Sequence, residues 1–541
     1  AYDELAELEK TLDEYAQLKR GTSDISGIEA DIRKLSVAAK LDEEVHYDES
    51  EPFEDYAAHL HAYIEELKDS EVHVGLHVLG KAPEGKLLLD CVLQILRLSN
   101  GDIPSVFELW AKKYNLTLDD IQTHPDEIYE PLHMTKSQLM EKIREETRKV
   151  ISFAIESMQQ EDCIEQIMNL PEAQGSDAWK QESNKLLDFV IHELIPSIHR
   201  TSDEMTNTIS ALSGQYINPG PSGSPNTGGA GLLPSGRNFY GADPRTLPSP
   251  AGWNLGVKLG DRTIAKYIAE KGHYPENIGM VLWSGPNMRT FGQDIAEFLY
   301  LLGIKPVWQK GSLKVTGLEV IPLNELKRPR IDVTARISGL FRDTLPQISK
   351  LLDQAVMMAA EQDEGNEENF VRKHICSDAE VLKAKGKEET EAWRIASYRI
   401  FGNAPGTYGA GVNVILDTRE WENTKDLADV YVRWGGHAFG KGADGCFEPE
   451  LFKKQLARID LTVKNEENPD SNIMSSDDYN AFHGGMIAAV KSLSGNSPES
   501  YVGDSTNRGN VKIRTVNEEV KRIFRSESMN PKYIKGLMEH G

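Results

Sequence analysis

The sequence contains few cysteines, and none of them is spaced to build a site. Only four occur in 541 residues, and no two are close in the chain: Cys91, Cys163, Cys376 and Cys446. Zinc ribbons and redox-active dithiols need two cysteines a few residues apart, so both are excluded. The pattern is typical of free thiols in a reducing compartment, and we expect a cytoplasmic protein.

Positive charge is scarce as well. The chain has 60 Lys and Arg residues against 85 Asp and Glu residues, which gives a formal net charge of -25. An acidic surface repels phosphate backbones, so we expect no nucleic-acid partner. Apolar runs of membrane-spanning length are also missing, and we expect no membrane span.

Common catalytic signatures are absent too. The sequence has no G-x-G-x-x-G dinucleotide loop, no nucleophile elbow and no H-E-x-x-H helix. Two segments approach the phosphate-binding loop G-x-x-x-x-G-K-[ST], namely "GLHVLGKA" at 75–82 and "GGHAFGKG" at 435–442. Both lack the Ser or Thr whose hydroxyl holds magnesium, so we do not expect this chain to bind ATP.

The periodicity of apolar residues divides the chain into four parts. Apolar residues at three-and-four spacing predict a mostly helical domain over 1–212. Alternating strands and helices predict an α/β domain with a parallel sheet over 253–400, and 401–541 is predicted to be a mixed α/β domain. The expected fold class is therefore multi-domain α/β, with a helical amino-terminal part followed by parallel-sheet domains.

The remaining part, 213–252, is rich in Gly and Pro and is predicted to be a functional loop. It ends in "LPSGRNFYGADPRTLPSPAGW", which carries arginines and aromatic residues that a flexible linker would not need. A loop of this kind is typical of a site that binds a ligand.

Two predicted strands are each followed by a Ser-Gly turn and an arginine. The turns are "SGPNMRT", which contains Arg289, and "SGLFRDT", which contains Arg342. Ligands of parallel sheets lie beyond the carboxyl ends of the strands, so this repetition favours an anion or carboxylate site. Simple helix caps or surface charges are the alternative.

Three histidine segments are candidates for chemistry. His73 and His77 in "EVHVGLHVLG" would share one side of a strand, either as a buried structural pair or as part of a metal site. His374 lies in a cationic cluster that would hold a polycarboxylate, beside Arg372 and Lys373. His483 lies near Asp477 and Asp478, an arrangement that suits proton removal, or helix capping by the acids.

Taken in order, the unusual segments resemble one family. They are "GQYINPGPSGSP", "LPSGRNFYGADPRTLPSPAGW", "MRTFGQDIAEFLYLLGIKPVW", "VTGLEVIPLNELKRPRIDVTARISGLFRD", "ENFVRKH", "RIFGNAPGTYGAGV", "DDYNAFHGGM" and "NPKYIKGLMEHG". The chain resembles the large subunit of cobaltochelatase (CobN type) and, less closely, the large porphyrin-binding subunit of magnesium chelatase.

The resemblance implies a function. The family inserts a divalent metal into a tetrapyrrole, and ATP is hydrolysed by partner subunits of the AAA+ class. Cobalt as the inserted metal and hydrogenobyrinic acid diamide as the ring are implied, with magnesium and protoporphyrin as the alternative. The likeness covers the carboxyl-terminal portion of longer family members, without the upstream His-Gly and Glu-Leu-Pro-Gly segments, so we expect this chain alone to be inactive.

The resemblance and the chemistry of insertion together suggest site residues. The catalytic candidates, which would take protons or briefly ligate the metal, are His77, Asp477, Asp478 and His483. No permanent metal site is expected. The candidates for binding an acid-fringed macrocycle are Arg237, Asn238, Tyr240, Arg245, Arg289, Arg342, Arg372, Lys373, His374 and Tyr408. A non-catalytic tetrapyrrole-binding scaffold, or an α/β protein that binds a sugar or a nucleotide, are the other hypotheses.

Overall fold

The computed structural model describes residues 2–20, 25–42, 44–48, 50–70 and 77–539. The chain forms two compact units. Unit 1 consists of residues 1–240 together with 522–541, and unit 2 consists of residues 241–521.

Unit 1 is mostly helical, as predicted for the first part of the chain. Its two apolar cores are built from helices whose buried residues recur at three-and-four spacing, such as Leu139, Ile143 and Val150 of one long helix. A capping box of Thr135 and Gln138 starts that helix. The α-helices are Tyr2–Leu18, Ser26–Ala38, Phe53–Asp69, Gly85–Leu96, Val106–Lys113, Leu118–Thr123, Lys136–Ser157, Cys163–Met168, Asp177–Phe189, Ile195–His199, Asp203–Leu212 and Pro531–Met538.

Unit 1 also contains four short strands among its described residues. Strands β1 (Ile128–Tyr129) and β2 (Met134–Thr135) pair antiparallel, whereas β3 (Pro219–Pro221) and β4 (Asn238–Tyr240) pair parallel. The Gly/Pro-rich segment between β3 and β4 is thus ordered.

Unit 2 is an α/β structure. Its strands are β5 (Asn277–Leu282), β6 (Ile304–Trp308), β7 (Val315–Val320), β8 (Asp332–Ile337), β9 (Ile400–Gly402), β10 (His437–Gly440), β11 (Ala443–Phe447), β12 (Leu461–Glu466), β13 (Glu499–Asp504) and β14 (Lys512–Thr515). Its α-helices are Pro250–Lys271, Ser284–Arg289, Gln293–Leu301, Leu323–Leu326, Gly339–Thr344, Pro346–Ala360, Phe370–Ala384, Glu389–Ala396, Val412–Thr418, Thr424–Gly435, Pro449–Ala457, Asp477–Tyr479, Gly485–Ser494 and Val516–Ile523.

Eight of these strands form one sheet in the order β11-β10-β9-β8-β5-β12-β13-β14. The five central strands from β9 to β13 are parallel, and the strands at both margins are antiparallel. All six residues of β5, β8 and β12 are buried, because helices cover both faces of the sheet. The predicted parallel sheet is confirmed, and it takes strands from both the 253–400 and the 401–541 segments.

Two details differ from the sequence-based expectation. The strands "IKPVW" and "LEVIPL" become β6 and β7, an antiparallel hairpin outside the main sheet. The periodicity of "KDLADVYVRWGGHAFG" predicts one helix to its end, but the helix ends at Gly435 and the next residues form β10. Here the glycines outweigh local periodicity, as at Gly440 and Gly442 between β10 and β11, where φ is 155° and 80°.

A glycine stripe holds two helices of unit 2 close together. Gly252, Gly256 and Gly260, each four residues apart, lie on one face of helix Pro250–Lys271 against residues 290–300. A Cβ on Gly256 would lie 2.5 Å from Ala296 Cβ and 2.6 Å from Gln293 O. Only the absence of a side chain permits this approach.

We therefore expect Gly256→Ala to destabilise unit 2. Overpacking of this kind costs about 1–3 kcal/mol, measured as a lower midpoint of urea unfolding. The matched control is Gly484→Ala, since Gly484 is also helical and nothing lies within 4 Å of a Cβ built on it. Equal midpoints for the two variants would contradict the close contact.

Candidate functional site

The carboxyl ends of β5, β8, β9, β12 and β13 meet at one edge of the sheet, which we call the carboxyl edge. From β5 the chain winds to β8 and β9 on one side, and later to β12 and β13 on the other. The strand order therefore reverses between β5 and β12. Crevices at such a reversal are where open parallel sheets bind ligands, so this edge is the candidate site of unit 2.

Arg289 lies at this edge, in the Ser-Gly turn that follows β5. It ends the short helix that follows β5, and its Nε donates to Glu467 Oε1 at 2.8 Å. Its Nη2 donates to the same oxygen. Glu467 directly follows β12 and is buried, so the ion pair ties together the two strands that flank the reversal.

Arg342 and Tyr408 also meet at the carboxyl edge. Arg342 donates to both oxygens of Asp343, with Nε···Oδ1 at 2.6 Å, and to the carbonyl of Ala404 at 2.6 Å. The Tyr408 hydroxyl donates to Asp343 Oδ2 at 2.6 Å. The guanidinium thus fixes the loop after β9 while the Tyr408 ring stays half exposed and available to a ligand.

Two buried cations lie on the same face of the sheet near this edge. Lys464 Nζ is 4.5 Å from the centroid of the Trp283 ring and 5.1 Å from that of Tyr479. Arg336 lies with its Cζ 5.1 Å from the Phe482 ring centroid. Both cations are at most 1% exposed. Aromatic faces attract these charges without neutralising them.

His483 lies in a single turn of π-helix, Asn480–Gly484, that packs on this face. Its Nε2 is 3.0 Å from Thr462 Oγ1 of β12, and its Nδ1 is buried without a hydrogen-bond partner among the described residues. Burial, reinforced by the charge of Lys464, lowers the pKa of His483 to about 3. The imidazole is therefore neutral at physiological pH and is a weak base.

Asp477 and Asp478 precede this turn and are exposed. Partial burial and the charge of Asp477 raise the pKa of Asp478 above its usual value. Asp478 therefore has a higher proton affinity than an ordinary aspartate.

The opposite face of β12 carries a buried carboxyl pair. Asn465 Nδ2 donates to Asp294 Oδ1 at 2.9 Å and to Glu297 Oε2 at 2.6 Å. Asn287 Nδ2 donates to the other oxygen of Asp294 at 3.1 Å and to Trp283 O at 2.8 Å. Burial raises the pKa of Glu297 to about 8, with the charge of Asp294 adding to the shift and the Asn465 bond opposing it.

The predicted cluster of Arg372, Lys373 and His374 is not at the carboxyl edge. It lies at the amino ends of β5 and β8, about 17 Å away along a six-residue strand. Lys373 Nζ pairs with Glu276 at 2.8 Å, and His374 Nδ1 is 2.8 Å from Asp332 Oδ2. Arg372 donates to a helix-terminal carbonyl, that of Ala360.

Arg245 is also paired within the protein. Its Nη2 lies 2.7 Å from Asp243 Oδ2, and this bond holds the pKa of Asp243 down at about 2. The guanidinium remains two-thirds exposed, with a relative exposure of 66%, so it keeps donors for a ligand.

The loop residues of unit 1 divide into structural and exposed ones. Arg237 donates to the carbonyls of Pro234 at 3.0 Å and Leu232 at 2.6 Å, so its guanidinium holds its own loop. Asn238 and Tyr240 lie on β4 with exposed side chains. Other exposed apolar side chains of unit 1 include Met205, Ile209, Leu212, Tyr216 and Phe239.

His77 lies in unit 1, whereas His73 lies outside the described residues. His77 Nε2 is 2.9 Å from Glu204 Oε2, which also accepts from the Gly80 N–H at 2.8 Å. Burial of Glu204 favours its protonated form, but these hydrogen bonds outweigh that effect and hold the pKa of Glu204 below its usual value. His77 is therefore coupled to a carboxylate, with its ring largely exposed.

Within the described residues, one group alone has three potential metal ligands close together: Asp120, His124 and Glu127. Lys136 Nζ lies 2.8 Å from Asp120 and 2.6 Å from Glu127, so an ammonium already occupies this group. We do not assign a metal to it. No helix in the described part of the chain is long and apolar enough to cross a membrane.

The sequence interpretation missed the residues at the reversal point itself. A usable signal was present, because "KNEEN" ends a strand that is otherwise apolar and "DVTARI" carries an arginine inside another. Charged residues in strands buried on both faces mark positions where something must offset desolvation. The missed residues are Trp283, Asp294, Glu297, Arg336, Lys464, Asn465, Glu466 and Glu467.

Comparison with known proteins places the chain among chelatase subunits. Residues 1–541 match the model of the CobN/Magnesium Chelatase family. The aerobic cobaltochelatase subunit CobN of Pseudomonas aeruginosa is 34% identical and covers 100% of this chain and 44% of its own length. An uncharacterized protein of Methanocaldococcus jannaschii is 39% identical and covers 90% of this chain and 38% of its own length.

A solved structure agrees over the whole chain. The catalytic subunit of cobaltochelatase from Mycobacterium tuberculosis superimposes with a TM-score of 0.89 at 35% identity, covering 100% of this chain and 44% of that one. This chain thus spans about two fifths of the length of the relatives that it matches.

The buried carboxyl pair predicts a pH dependence of stability. Because the pKa of Glu297 is about 8 when folded and 4.5 as the reference value, the folded protein holds a proton there that the unfolded chain has released. Between these pH values, this group makes the free energy of unfolding fall as the pH rises. Glu297→Gln removes the titration and keeps an uncharged side chain of the same size.

The free energy of unfolding of Glu297→Gln relative to the wild type is therefore expected to be higher at pH 9 than at pH 5. The difference should be at least about 1.4 kcal/mol, the equivalent of one pKa unit, in urea titrations. Glu450→Gln, at a side chain that is 83% exposed, is the control and should follow the wild type at both pH values. Parallel pH profiles for Glu297→Gln and the wild type would rule out a protonated Glu297.

Proposed function

Because the chain belongs to the CobN/magnesium chelatase family over residues 1–541, we propose that it forms part of the tetrapyrrole-binding large subunit of a metal chelatase. The observation that carries the proposal is the agreement of the whole fold with a cobaltochelatase catalytic subunit at a TM-score of 0.89. Cobalt is the proposed metal and hydrogenobyrinic acid diamide the proposed ring, since two of the three relatives named above are cobaltochelatase subunits. Magnesium and protoporphyrin are the alternative.

The ring is a large flat surface with acidic groups at its margin. Such a ligand needs apolar faces to pack on and charged donors for its carboxylates. Unit 1 offers exposed aromatic rings at Tyr216, Phe239 and Tyr240, and unit 2 offers the exposed guanidinium of Arg245. The aromatic rings support packing of a ring face by the part of the loop in unit 1, and Arg245 supports carboxylate binding by the part in unit 2.

Insertion of a divalent metal releases two pyrrole N–H protons, and acceptors for them are required. His483 has a pKa of about 3 and would not hold a proton at neutral pH. Asp478 is exposed and has a raised pKa, so it is the better proton acceptor in this segment, with Asp477 beside it. We assign His483 a positioning role through its contact with Thr462.

The energy for the cycle is proposed to come from AAA+ partner subunits that hydrolyse ATP. Segment 435–442, which resembles a phosphate-binding loop in sequence, supports the assignment of ATP hydrolysis to partner subunits. It folds as the end of helix Thr424–Gly435 followed by strand β10, whereas a phosphate-binding loop leads from a strand into a helix. The Lys441 N–H at its tip donates to Asp353 Oδ2 at 2.8 Å, so a carboxylate lies where a phosphate would have to bind. Segment 75–82 lies partly outside the described residues. A cytoplasmic location is part of the same proposal.

Ring binding is tested by absorbance titration of the chain with hydrogenobyrinic acid diamide and with protoporphyrin. The corrin precursor is expected to bind more tightly. Tyr240→Ala and Arg245→Ala should each weaken its binding about tenfold, the equivalent of one lost charge-assisted hydrogen bond or stacking contact. Arg433→Ala is the matched control, because Arg433 is also exposed but lies on a helix outside the loop. Unchanged affinity in both loop variants would remove the loop from the site.

Because this chain alone is expected to be inactive, proton removal is tested in the full-length subunit that contains it, with cobalt, ATP and the ATPase partners added. Asp478→Asn should slow insertion at least about tenfold without changing ring affinity, since a positioned base contributes about 100-fold or more. The wild-type rate should fall as the pH drops through the raised pKa of Asp478. Asp417→Asn, at another exposed aspartate of unit 2, should retain the wild-type rate. Ring binding without insertion by the full-length wild-type subunit would instead favour the scaffold hypothesis.

A further inference from the structure

Unit 1 contains a histidine–carboxylate pair that the proposed function does not use. His77 Nε2 lies 2.9 Å from Glu204 Oε2. The His77 side chain is 61% exposed, whereas that of Glu204 is only 10% exposed. Metal insertion releases two pyrrole protons, so a proton acceptor in addition to Asp478 is needed.

The carboxylate of Glu204 is held in place by its surroundings. Its Oε2 also accepts from the Gly80 N–H at 2.8 Å, and the side chain of Ser235 hydrogen-bonds to the same carboxylate. The backbone of Glu204 lies against Gly236, where a Cβ would be 2.6 Å from Glu204 N. Despite burial, these hydrogen bonds hold the pKa of Glu204 below its usual value, so the group is charged at neutral pH.

This fixed charge orients the imidazole of His77. An ionised carboxylate only accepts hydrogen bonds, so the neutral ring carries its proton on Nε2 and donates it to Glu204. The basic lone pair is then on Nδ1, which makes no hydrogen bond within the described part of the chain. The negative charge beside the ring offsets the positive charge that the ring gains with a second proton.

Exposed apolar side chains lie on both segments that hold the pair. On the helix Asp203–Leu212 they recur at spacings of four and three and form one stripe, and two more directly follow His77. They are Met205, Ile209 and Leu212 of the helix, and Val78 and Leu79 after the histidine. The Met205 side chain lies against Gly80, so the stripe begins beside the pair. Exposed apolar surface of this extent is typical of a site that a ligand or partner covers.

The aromatic residues proposed to bind the macrocycle are tied to the same helix. Asn207 Nδ2 donates to the carbonyl of Gly236 at 2.8 Å, and Tyr240 follows Gly236 by four residues. The Cα atom of Tyr240 is therefore at most about 14 Å from that of Gly236. Tyr216 likewise follows the last residue of the helix by four residues. One tetrapyrrole packed on these rings is thus within reach of the apolar stripe.

We propose that His77 is a catalytic base of metal insertion and that Glu204 is its positioning residue. In this step a pyrrole N–H bond breaks and an N–H bond forms at Nδ1 of His77. The electron pair of the broken bond stays on the pyrrole nitrogen, where it binds the incoming divalent metal. The inference rests on the proposed function, because the macrocycle supplies the proton.

The first experiment measures the modification of histidines by diethyl pyrocarbonate in the full-length subunit that contains this chain. It needs neither cobalt nor ATP, and mass spectrometry of peptides follows each histidine. Hydrogenobyrinic acid diamide should slow the modification of His77 severalfold, because Nδ1 then faces the ring. His192 is the matched control: it is an exposed histidine of unit 1 whose Nδ1 lies 3.0 Å from Asp188 Oδ1, and it should react equally with and without the ring.

The outcomes of this experiment separate the inference from the proposed function. Ring binding without protection of His77 overturns the inference alone. Failure of any tetrapyrrole to bind contradicts the proposed function, and the inference falls with it.

The second experiment measures cobalt insertion by the same subunit with ATP and the ATPase partners. His77→Gln and Glu204→Gln should each lower kcat at least about tenfold with KM for the ring unchanged, since a positioned base contributes about 100-fold or more. Glu204→Gln keeps an acceptor oxygen for His77 and Gly80 and removes only the charge. Asp188→Asn alters the control pair and should retain the wild-type rate.

The double variant tests whether the two residues act together. It should be no slower than His77→Gln, because a positioning residue acts only through the base that it holds. Additive losses would overturn the positioning role of Glu204. A merely structural pair would instead lower the thermal unfolding midpoint and leave kcat of the folded subunit unchanged, which would remove His77 from the reaction. Ring binding without insertion by the wild type would contradict the proposed reaction and this inference together.

Discussion

Desolvation of charged side chains in a sheet buried on both faces is the constraint on which unit 2 depends. Strands β5, β8 and β12 have no exposed residue, yet β8 and β12 carry charges. Asp332 is compensated completely, since Arg399 and His374 hold its pKa far below the usual value despite burial. Arg336 and Lys464 lie instead against aromatic rings. The sheet therefore stabilises the buried charge of Asp332 with opposite charges and places those of Arg336 and Lys464 against aromatic rings.

The two edges of the sheet differ in this respect. At the amino edge, cations and carboxylates match: Lys373 with Glu276, and Arg399 and His374 with Asp332. Such closed networks position elements and leave nothing for a ligand. At the carboxyl edge Arg289 and Arg342 are paired as well, but Arg336 Nε and Trp283 Nε1 are buried and have no acceptor among the described residues. Incomplete pairing where strand order reverses is what a binding site requires, because a ligand supplies the missing partner.

Local pattern was enough to predict the central parallel strands of unit 2, and with them that Arg289 and Arg342 follow strand ends, but not the β6–β7 hairpin or β10. A residue that follows a parallel strand must lie at the carboxyl edge whatever its partners are. Partners from distant segments could not be predicted in this way. The cationic segment around Lys373 looked free in sequence because Glu276, its partner, is 97 residues away. Likewise, Arg237 looked available to a ligand until its own loop was seen to accept its hydrogen bonds.

The same reasoning decides between histidine and carboxylate as the proton acceptor. A group accepts protons from a substrate only if its protonated form is stable where it lies. Full burial beside Lys464 makes the imidazolium of His483 unstable, whereas partial burial beside Asp477 makes the protonated form of Asp478 more stable. Burial disfavours the charged form of any group. The charged form of histidine is the protonated one and that of aspartate is the deprotonated one, so burial lowers the proton affinity of His483 and raises that of Asp478. This contrast supports the proposal that Asp478 is the proton acceptor of this segment, whereas the ring of His483 contacts Thr462 of β12.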